Sequence, residues 1–496
     1  MKIFSTHQFT KHLKIEWIII PVFAKFPKEE LTSILGSYSI DDHLSLIQEF
    51  KGLPGESIHF PPRKGTGTGI SLFGLGEVGK VSIKRSTIEF IHQAKKYLPE
   101  HIGVSLELTG TDDVQRMIHL AENLTKGIVL AFQNPGKFKT TAKDEKNINS
   151  LTWIIPKPFS DPVENASEKG RLKAITISRL IDLINTPASH KTPVELVDWM
   201  QSSAQNSGYQ IKILDKKELF KQGWHALIAV NRGSEVPAQC VIAEYSPKIA
   251  GKYVPKVVLA GKGVTFDTGG LSIKTGDTVH YMKSDMGGAA AVMGTIELAA
   301  QLQLQVHIVA ILPFTDNSVD ARSIKPGDII SSYSGKSIEV INTDAEGRLI
   351  LADALAYAVK NHPCDYLIDV ATLTGNIVLA LGNEAAGLMT NNNNLAAQLE
   401  KAGIETGEKV WRMPLWDDYK KHLDSDIADI KNLGTKPLAG SITAAKFLEY
   451  FTDHHKAYAH LDIAGTSFGT YPISKDYSAT GFGVDLLVNW LEHLEK

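Results

Sequence analysis

Short runs rich in β-branched and aromatic residues alternate with helix-period stretches along the whole chain, a pattern that predicts α/β architecture. In the first third, IEWIIIPV (15–22), GISLFGLG (69–76), HIGVSLEL (101–108) and GIVLAF (127–132) read as strands. Ser86–Tyr97 reads as a helix with Ser86 as its N-cap. Residues from about Phe138 to Leu151 are polar, and Pro156 and Pro158 follow. A helical pattern then runs from about Ser167 to Ile184, where Asn185-Thr186-Pro187 stops it. These breaks predict a smaller N-terminal α/β domain, residues 1–165, joined by a helix to a larger C-terminal α/β domain, residues 166–496.

The second part carries continuous apolar runs that suit the central strands of a mixed, mostly parallel sheet: KVVLAGKG (256–263), VHIVAILPF (306–314), YLIDVATLTG (366–375) and YAHLDIAGT (458–466). Helices are expected at Gly287–Gln301, Leu349–Asn361 and Ser441–Thr452, and a surface loop at Asn391–Asn394. In such a sheet a site is sought in the loops at the carboxyl ends of the strands.

Charge narrows the partners. Lys and Arg number 52 against 55 Asp and Glu, a net charge of −3. Residues 1–150 hold 19 basic and 16 acidic side chains (+3), and the rest 33 and 39 (−6), so neither part has the basic excess of a nucleic-acid binder. Two cysteines, Cys240 and Cys364, are too few for a disulfide scaffold or a cysteine zinc cluster. The apolar run Trp17–Ile20 is broken by Pro21 and lacks a small-residue cleavage site, so no signal peptide is expected. No stretch approaches about 18 apolar residues, so no membrane span is expected and the chain is placed in the cytoplasm.

Gly74–Lys80 (GLGEVGK) matches G-x-G-x-x-G and most of a phosphate-binding loop. Val81, however, stands where a Walker A loop needs Ser or Thr. Lys80–Ile83 reads as extended where a dinucleotide fold needs a helix, and Glu100 is followed by a loop instead of ending a strand. A structural glycine turn is the better reading, with a nucleotide-dependent protein as a competing hypothesis.

Two segments carry the chemistry. The first is Gly261–Lys274 (GKGVTFDTGGLSIK), continued by Met282–Ala290 (MKSDMGGAA), and the second is Asn342–Leu349 (NTDAEGRL). Asp344, Glu346 and Arg348 are spaced by two, which in an extended segment sends all three side chains to one side. Taken singly, Asp344 or Asp285 reads as a helix cap and a Lys or Arg beside carboxylates as an ion pair. Together, Asp267, Asp285, Asp344 and Glu346 converge at strand ends with Lys262, Lys274 and Arg348. Carboxylates that close repel and take up protons unless cations neutralise them. Two metal ions held about 3.5–4 Å apart by bridging carboxylates are the usual hydrolase arrangement. Oxygen-dominated ligands favour Mn2+, Mg2+ or Zn2+. A lysine joins such a site only as a neutral amine. His454, His455 and His460 lack ligand spacing and read as structural.

The run NTDAEGRL, with G-K-G-x-T-F-D at 261–267, LSIK at 271–274 and DMGGAA at 285–290, resembles the leucyl (cytosol) aminopeptidase family. The likeness continues through ATLTG (371–375), SDIAD (425–429), GSITAA (440–445), AHLDIAGT (459–466) and ATGFG (479–483), and covers roughly residues 180–496. It implies a two-metal aminopeptidase that releases N-terminal residues from peptides, with a leucine-like preference, by attack of a metal-activated hydroxide. One metal is implied at Lys262, Asp267, Asp285 and Glu346, the other at Asp267, Asp344 and Glu346. Lys274 is implied to steady the oxyanion and Arg348 to hold a bicarbonate general base. Met282, Thr372, Leu373, Gly375 and Ala464 are implied to line the pocket for the first side chain. The family also implies a homohexamer with its catalytic domains at the centre. Thr268 replaces the commoner serine, Asp316–Val319 (DNSV) replaces an E-N-M-P-like segment, and Asn185–His190 lacks the usual second asparagine. A DNA-binding regulator that keeps this fold is the alternative, disfavoured by an N-terminal part without matching motifs and with a charge of only +3.

Overall fold

The structure is a computed structural model, and it describes residues 1–6, 15–37, 44–62, 68–78, 82–107, 113–134, 137–140, 147–248, 253–434 and 436–494. The chain forms two compact units, Met1–Ser178 with Pro472–Ser474, and Arg179–Tyr471 with Lys475–Lys496. The division falls inside the helix Ser160–Asn185, which ends where Asn185-Thr186-Pro187 requires.

Among the described residues, the first unit has a six-stranded sheet in the order Lys2–Thr6, Ser150–Ile154, His101–Ser105, Trp17–Phe23, Gly69–Gly76, Ser57–Phe60. Its pairings are parallel except the last. Two expectations fail here. GIVLAF is not a strand: residues 127–130 close the helix Val114–Leu130. Asp113 caps that helix by accepting from the Gln115 N–H, and Met117, Leu120, Ala121, Leu124 and Ile128 bury one face at helical spacing. A short β-branched run is carried along by a helix already formed before it. The other helix spans Ile83–Ala94 and is capped by Ser82, not Ser86. Ser86 is buried within the first turn, donating its backbone N–H to the Ser82 carbonyl. Of the Gly74–Lys80 motif, Gly79 and Lys80 lie outside the described residues, as does Val81.

Among the described residues, the second unit is built on a nine-stranded sheet. Its order is Val410–Met413, Ala386–Thr390, Tyr458–Asp462, Tyr366–Ala371, Lys256–Gly261, His307–Asn317, Gln239–Tyr245, Gln210–Leu214, with Gly263–Asp267 also paired to His307–Asn317. The central pairings are parallel, and antiparallel ones flank them on both sides, so the sheet is mixed and mostly parallel as expected. The helix Gly287–Gln301 is buried on nearly every face, and its run of Gly and Ala explains how. A Cβ on Gly288 would stand 2.1 Å from the Val370 carbonyl oxygen, so only glycine lets the helix N-terminus rest on that strand end. On the sheet, Val258, Ala260 and Ile311 pack with Leu349 and Leu355 of the helix Glu346–Asn361 and with Phe447 of the helix Gly440–Glu449. The Asn391–Asn394 run is loop only at its start, because Asn392 caps a helix over Asn393–Thr406. Among the described residues no helix is long and apolar enough to cross a membrane.

Candidate metal centre

Adjacent strand ends bring the two segments together. Lys262 joins the strands Lys256–Gly261 and Gly263–Asp267, donating its backbone N–H to the Val370 carbonyl and accepting from the Ala289 N–H. Its Nζ lies 2.8 Å from Asp285 Oδ2 and 2.9 Å from Glu346 Oε1, and donates to the Thr372 carbonyl at 2.9 Å. Asp267 ends its strand with Oδ1 accepting from the Gly269 N–H and from Asn317 Nδ2, both at 2.8 Å. Asp267 Oδ2 is 2.8 Å from Lys274 Nζ, which also pairs with Asp344 Oδ1. Asp285 follows the 3-10 turn Val279–Ser284, and Thr372 donates its hydroxyl to Asp285 Oδ1 at 2.7 Å.

Asp344, Glu346 and Arg348 converge differently from the extended arrangement that their spacing suggests. Asn342 accepts the Asp344 N–H at 2.7 Å on its side chain and the Ala345 N–H on its carbonyl. That turn delivers the chain into a helix starting at Glu346, so Glu346 and Arg348 sit in a helical first turn. Asp344 and Glu346 still face Asp267, and carboxylate oxygens of the three lie within 4.8 Å of one another. Arg348 donates Nη1 to the Asn432 carbonyl at 2.8 Å. Neither Asp285 nor Asp344 caps a helix, since the helices that follow begin after Met286 and Ala345.

The electrostatics follow from burial. Burial alone would pull the Lys262 ammonium down, but Asp285, Glu346 and Asp267 outweigh it and raise its pKa above the ordinary lysine value. Lys274 behaves alike, through Asp267, Glu346 and Asp344. Burial and the neighbouring carboxylates push Asp285 well up, and burial with Asp267 pushes Asp344 up to about 6 against the pull of Lys274. Burial draws the Arg348 guanidinium down to about 10. Four carboxylates thus face two ammonium groups, and Glu346 Oε2 is buried without a hydrogen-bond partner. A buried carboxylate oxygen with no donor, in an oxygen-rich cluster short of positive charge, fits hard divalent cations. Arg348 Nε is likewise buried and unpartnered, which fits a small anion.

Of the residues expected to line a pocket, Met282 and Thr372 touch this cluster. Met282 lies in the turn leading to Asp285, whose N–H donates to the Met282 carbonyl. Thr372 touches both Lys262 and Asp285, while Leu373 and Ala464 donate backbone N–H groups to Asp462 Oδ1. Gly375 opens an exposed turn where an added Cβ would meet nothing within 4 Å. Asn317, Asn432 and Asp462 escaped sequence reasoning as site residues. The available signal for Asp462 was a carboxylate in a strand whose every residue is buried.

The cytosol aminopeptidase family, catalytic domain, matches residues 179–488. A probable cytosol aminopeptidase of Chlorobium phaeobacteroides is 38% identical over 99% of both chains. One from Chloroherpeton thalassium is 45% identical over 85% of this chain and 86% of its own. Among solved structures, a mutant tomato leucine aminopeptidase superposes with a TM-score of 0.88 at 29% identity, covering 99% of this chain and 96% of the other. The bottromycin maturation enzyme BotP, in complex with Mn, gives 0.82 at 28% identity over 97% and 100%. The clustered acids and lysines, the sheet that presents them and these full-length likenesses agree: the chain belongs to the cytosol aminopeptidase family of metal-dependent hydrolases.

Proposed function

We propose that the protein removes N-terminal residues, with a leucine-like preference, from peptides in the cytoplasm, using two metal ions per subunit. The observation that carries this reading is the cluster of Asp267, Asp344 and Glu346 beside the Lys262–Asp285 pair. Lys262, Asp267, Asp285 and Glu346 would hold one divalent ion, and Asp267, Asp344 and Glu346 the other. When bound, such ions supply Lewis-acid polarisation and a nucleophilic hydroxide, and bicarbonate supplies a base. Asp285 faces the free α-amino group of the peptide, which restricts cleavage to the first residue. Lys274, charged and only 23% exposed, meets the oxyanion that develops at the scissile carbonyl. Arg348 offers its unpartnered Nε to the bicarbonate. Met282, Thr372, Leu373, Gly375 and Ala464 receive the first side chain. A homohexamer is the assembly that goes with this reading, and light scattering should give six times the chain mass.

Hydrolysis of Leu-p-nitroanilide before and after chelation tests the reading. Activity should vanish with chelator and return with Mn2+ more readily than with soft-metal ions, because the ligands are mainly oxygens. Undiminished hydrolysis by fully stripped protein would sink it.

A further inference from the structure

Asp462, fully buried at the end of its strand, hydrogen-bonds residues of the pocket assigned above. Its Oδ1 accepts from the backbone N–H groups of Leu373 at 3.1 Å, Thr374 at 3.4 Å and Ala464 at 3.3 Å. Its Oδ2 accepts from the Thr374 hydroxyl at 2.6 Å. The residue before Leu373 is Thr372, whose carbonyl and hydroxyl hold Lys262 and Asp285. One carboxylate therefore fixes the loop that carries Thr372 and, two residues along its own segment, Ala464.

Two residues back along the strand, on the same face, is His460. Its Nδ1 lies 2.6 Å from Oδ1 of Asp369, its partner in the parallel register. Asp369 Oδ2 accepts from the Tyr458 hydroxyl at 2.7 Å. His460, Asp369, Tyr458 and Asp462 are all completely buried, and His460 Nε2 has no hydrogen-bond partner. The charged groups acting on the ring are Asp369 from the neighbouring strand, Asp462 from its own and Arg348 from the helix Glu346–Asn361. The strand on the other side pairs uncharged Met389 with it. Burial pulls the ring's pKa down, but the two carboxylates outweigh burial and Arg348 and raise it above the ordinary histidine value. Burial pushes Asp462 up, and among its neighbours His460 pulls it back most. A buried carboxylate bound only by neutral donors still needs a counter-charge.

We propose that His460 is a positioning residue for the substrate pocket: clamped by Asp369, its ring supplies the positive charge that balances Asp462, and Asp462 fixes Leu373, Thr374 and Ala464. This rests on the reading that these segments line the pocket. A neutral ring would take from Asp462 the charge that pulls hardest against its burial, and the hydrogen bonds to the loop would weaken.

The test uses full-length, Mn2+-loaded protein carrying His460→Gln or Asp462→Asn. In both, KM for Leu-p-nitroanilide should rise about tenfold, the equivalent of one hydrogen bond to a charged group, with a smaller change in kcat and unchanged bound metal. In the unaltered enzyme, KM should also step upward as pH rises through the ring's pKa, and that step should be missing from both variants. If His460→Gln does not fold, the loss of the step in Asp462→Asn still decides the matter. An unchanged KM and an unchanged pH profile in a folded variant would overturn the proposal. Ala464→Val separates the two readings. If it alters the preference for Leu over Ala while the His460 and Asp462 variants behave normally, only the positioning role is lost. If it leaves that preference untouched, the pocket assignment itself fails.

Discussion

Lys262 Nζ and Asp285 Oδ2 stand 2.8 Å apart, with side chains 4% and 9% exposed. A buried pair of this kind leaves a costly lone charge when either partner is removed, about 3–5 kcal/mol. Asp285, Glu346 and Asp267 hold the lysine as an ammonium. A metal bound at the proposed site would have to expel that proton before the amine could act as a ligand.

Removing either helix-side carboxylate should remove a ligand. Asp344→Ala and Glu346→Ala are expected to abolish turnover of Leu-p-nitroanilide while the protein stays folded by circular dichroism. Near-normal kcat in either variant would exclude the two-metal assignment.

The two lysines look alike by charge but should separate by function. Lys262→Ala should lose one metal as well as activity. Lys274→Ala should keep about two metals per chain while kcat falls roughly 10²–10³-fold, if its charge acts on the transition state as proposed. Arginine at 274 should rescue poorly, its planar fork being a poor substitute for a compact ammonium. Metal analysis beside kcat decides, and metal loss confined to the Lys274 variant would reverse the roles.

Gly347 should prove necessary for lysine placement rather than for backbone freedom. A Cβ there would stand 2.5 Å from Lys262 Cε and 2.8 Å from its Nζ. The obstacle is the far end of a flexible side chain, so Gly347→Ala should displace Lys262 and leave the helix intact. Alanine also favours the helix by about 1 kcal/mol over glycine. Bound metal should fall, and the melting temperature of the stripped protein should fall as well, because disturbing the buried Lys262–Asp285 pair outweighs that gain. Full metal occupancy in the variant would show that Lys262 is not needed where it stands.

The pH dependence of metal uptake should report both ligands. Lys262 holds its proton throughout the neutral range, so apparent Mn2+ affinity should fall about tenfold per unit as pH drops. Asp344, pushed up to about 6, is ionised above that pH and protonated below it. Below pH 6 Asp344 adds one more proton that must leave, so the slope should steepen there by about a further tenfold per unit. Calorimetric titration of stripped protein from pH 5 to pH 8 measures this. A flat upper branch would count against Lys262 as an amine ligand, and an unbent line against Asp344.

The sequence by itself determined the α/β class, the apolar central strands, the helix Gly287–Gln301 and the identity of the charged cluster. These were legible because continuous apolar runs, an Ala-rich stretch and acids packed between glycines have few stable alternatives. It misjudged GIVLAF, where an upstream cap and a buried face decided for helix. It also misjudged the geometry of Asp344, Glu346 and Arg348, where the Asn342 turn replaced an extended segment by a helix start. Only the tertiary structure decided that Thr372 bridges Lys262 and Asp285, that Arg348 reaches Asn432, and that Asp462 holds the backbone at Leu373. Each of those contacts joins residues dozens of positions apart. Local spacing carries no information about such pairs, because the sheet's strand order, not the chain's, sets which side chains meet.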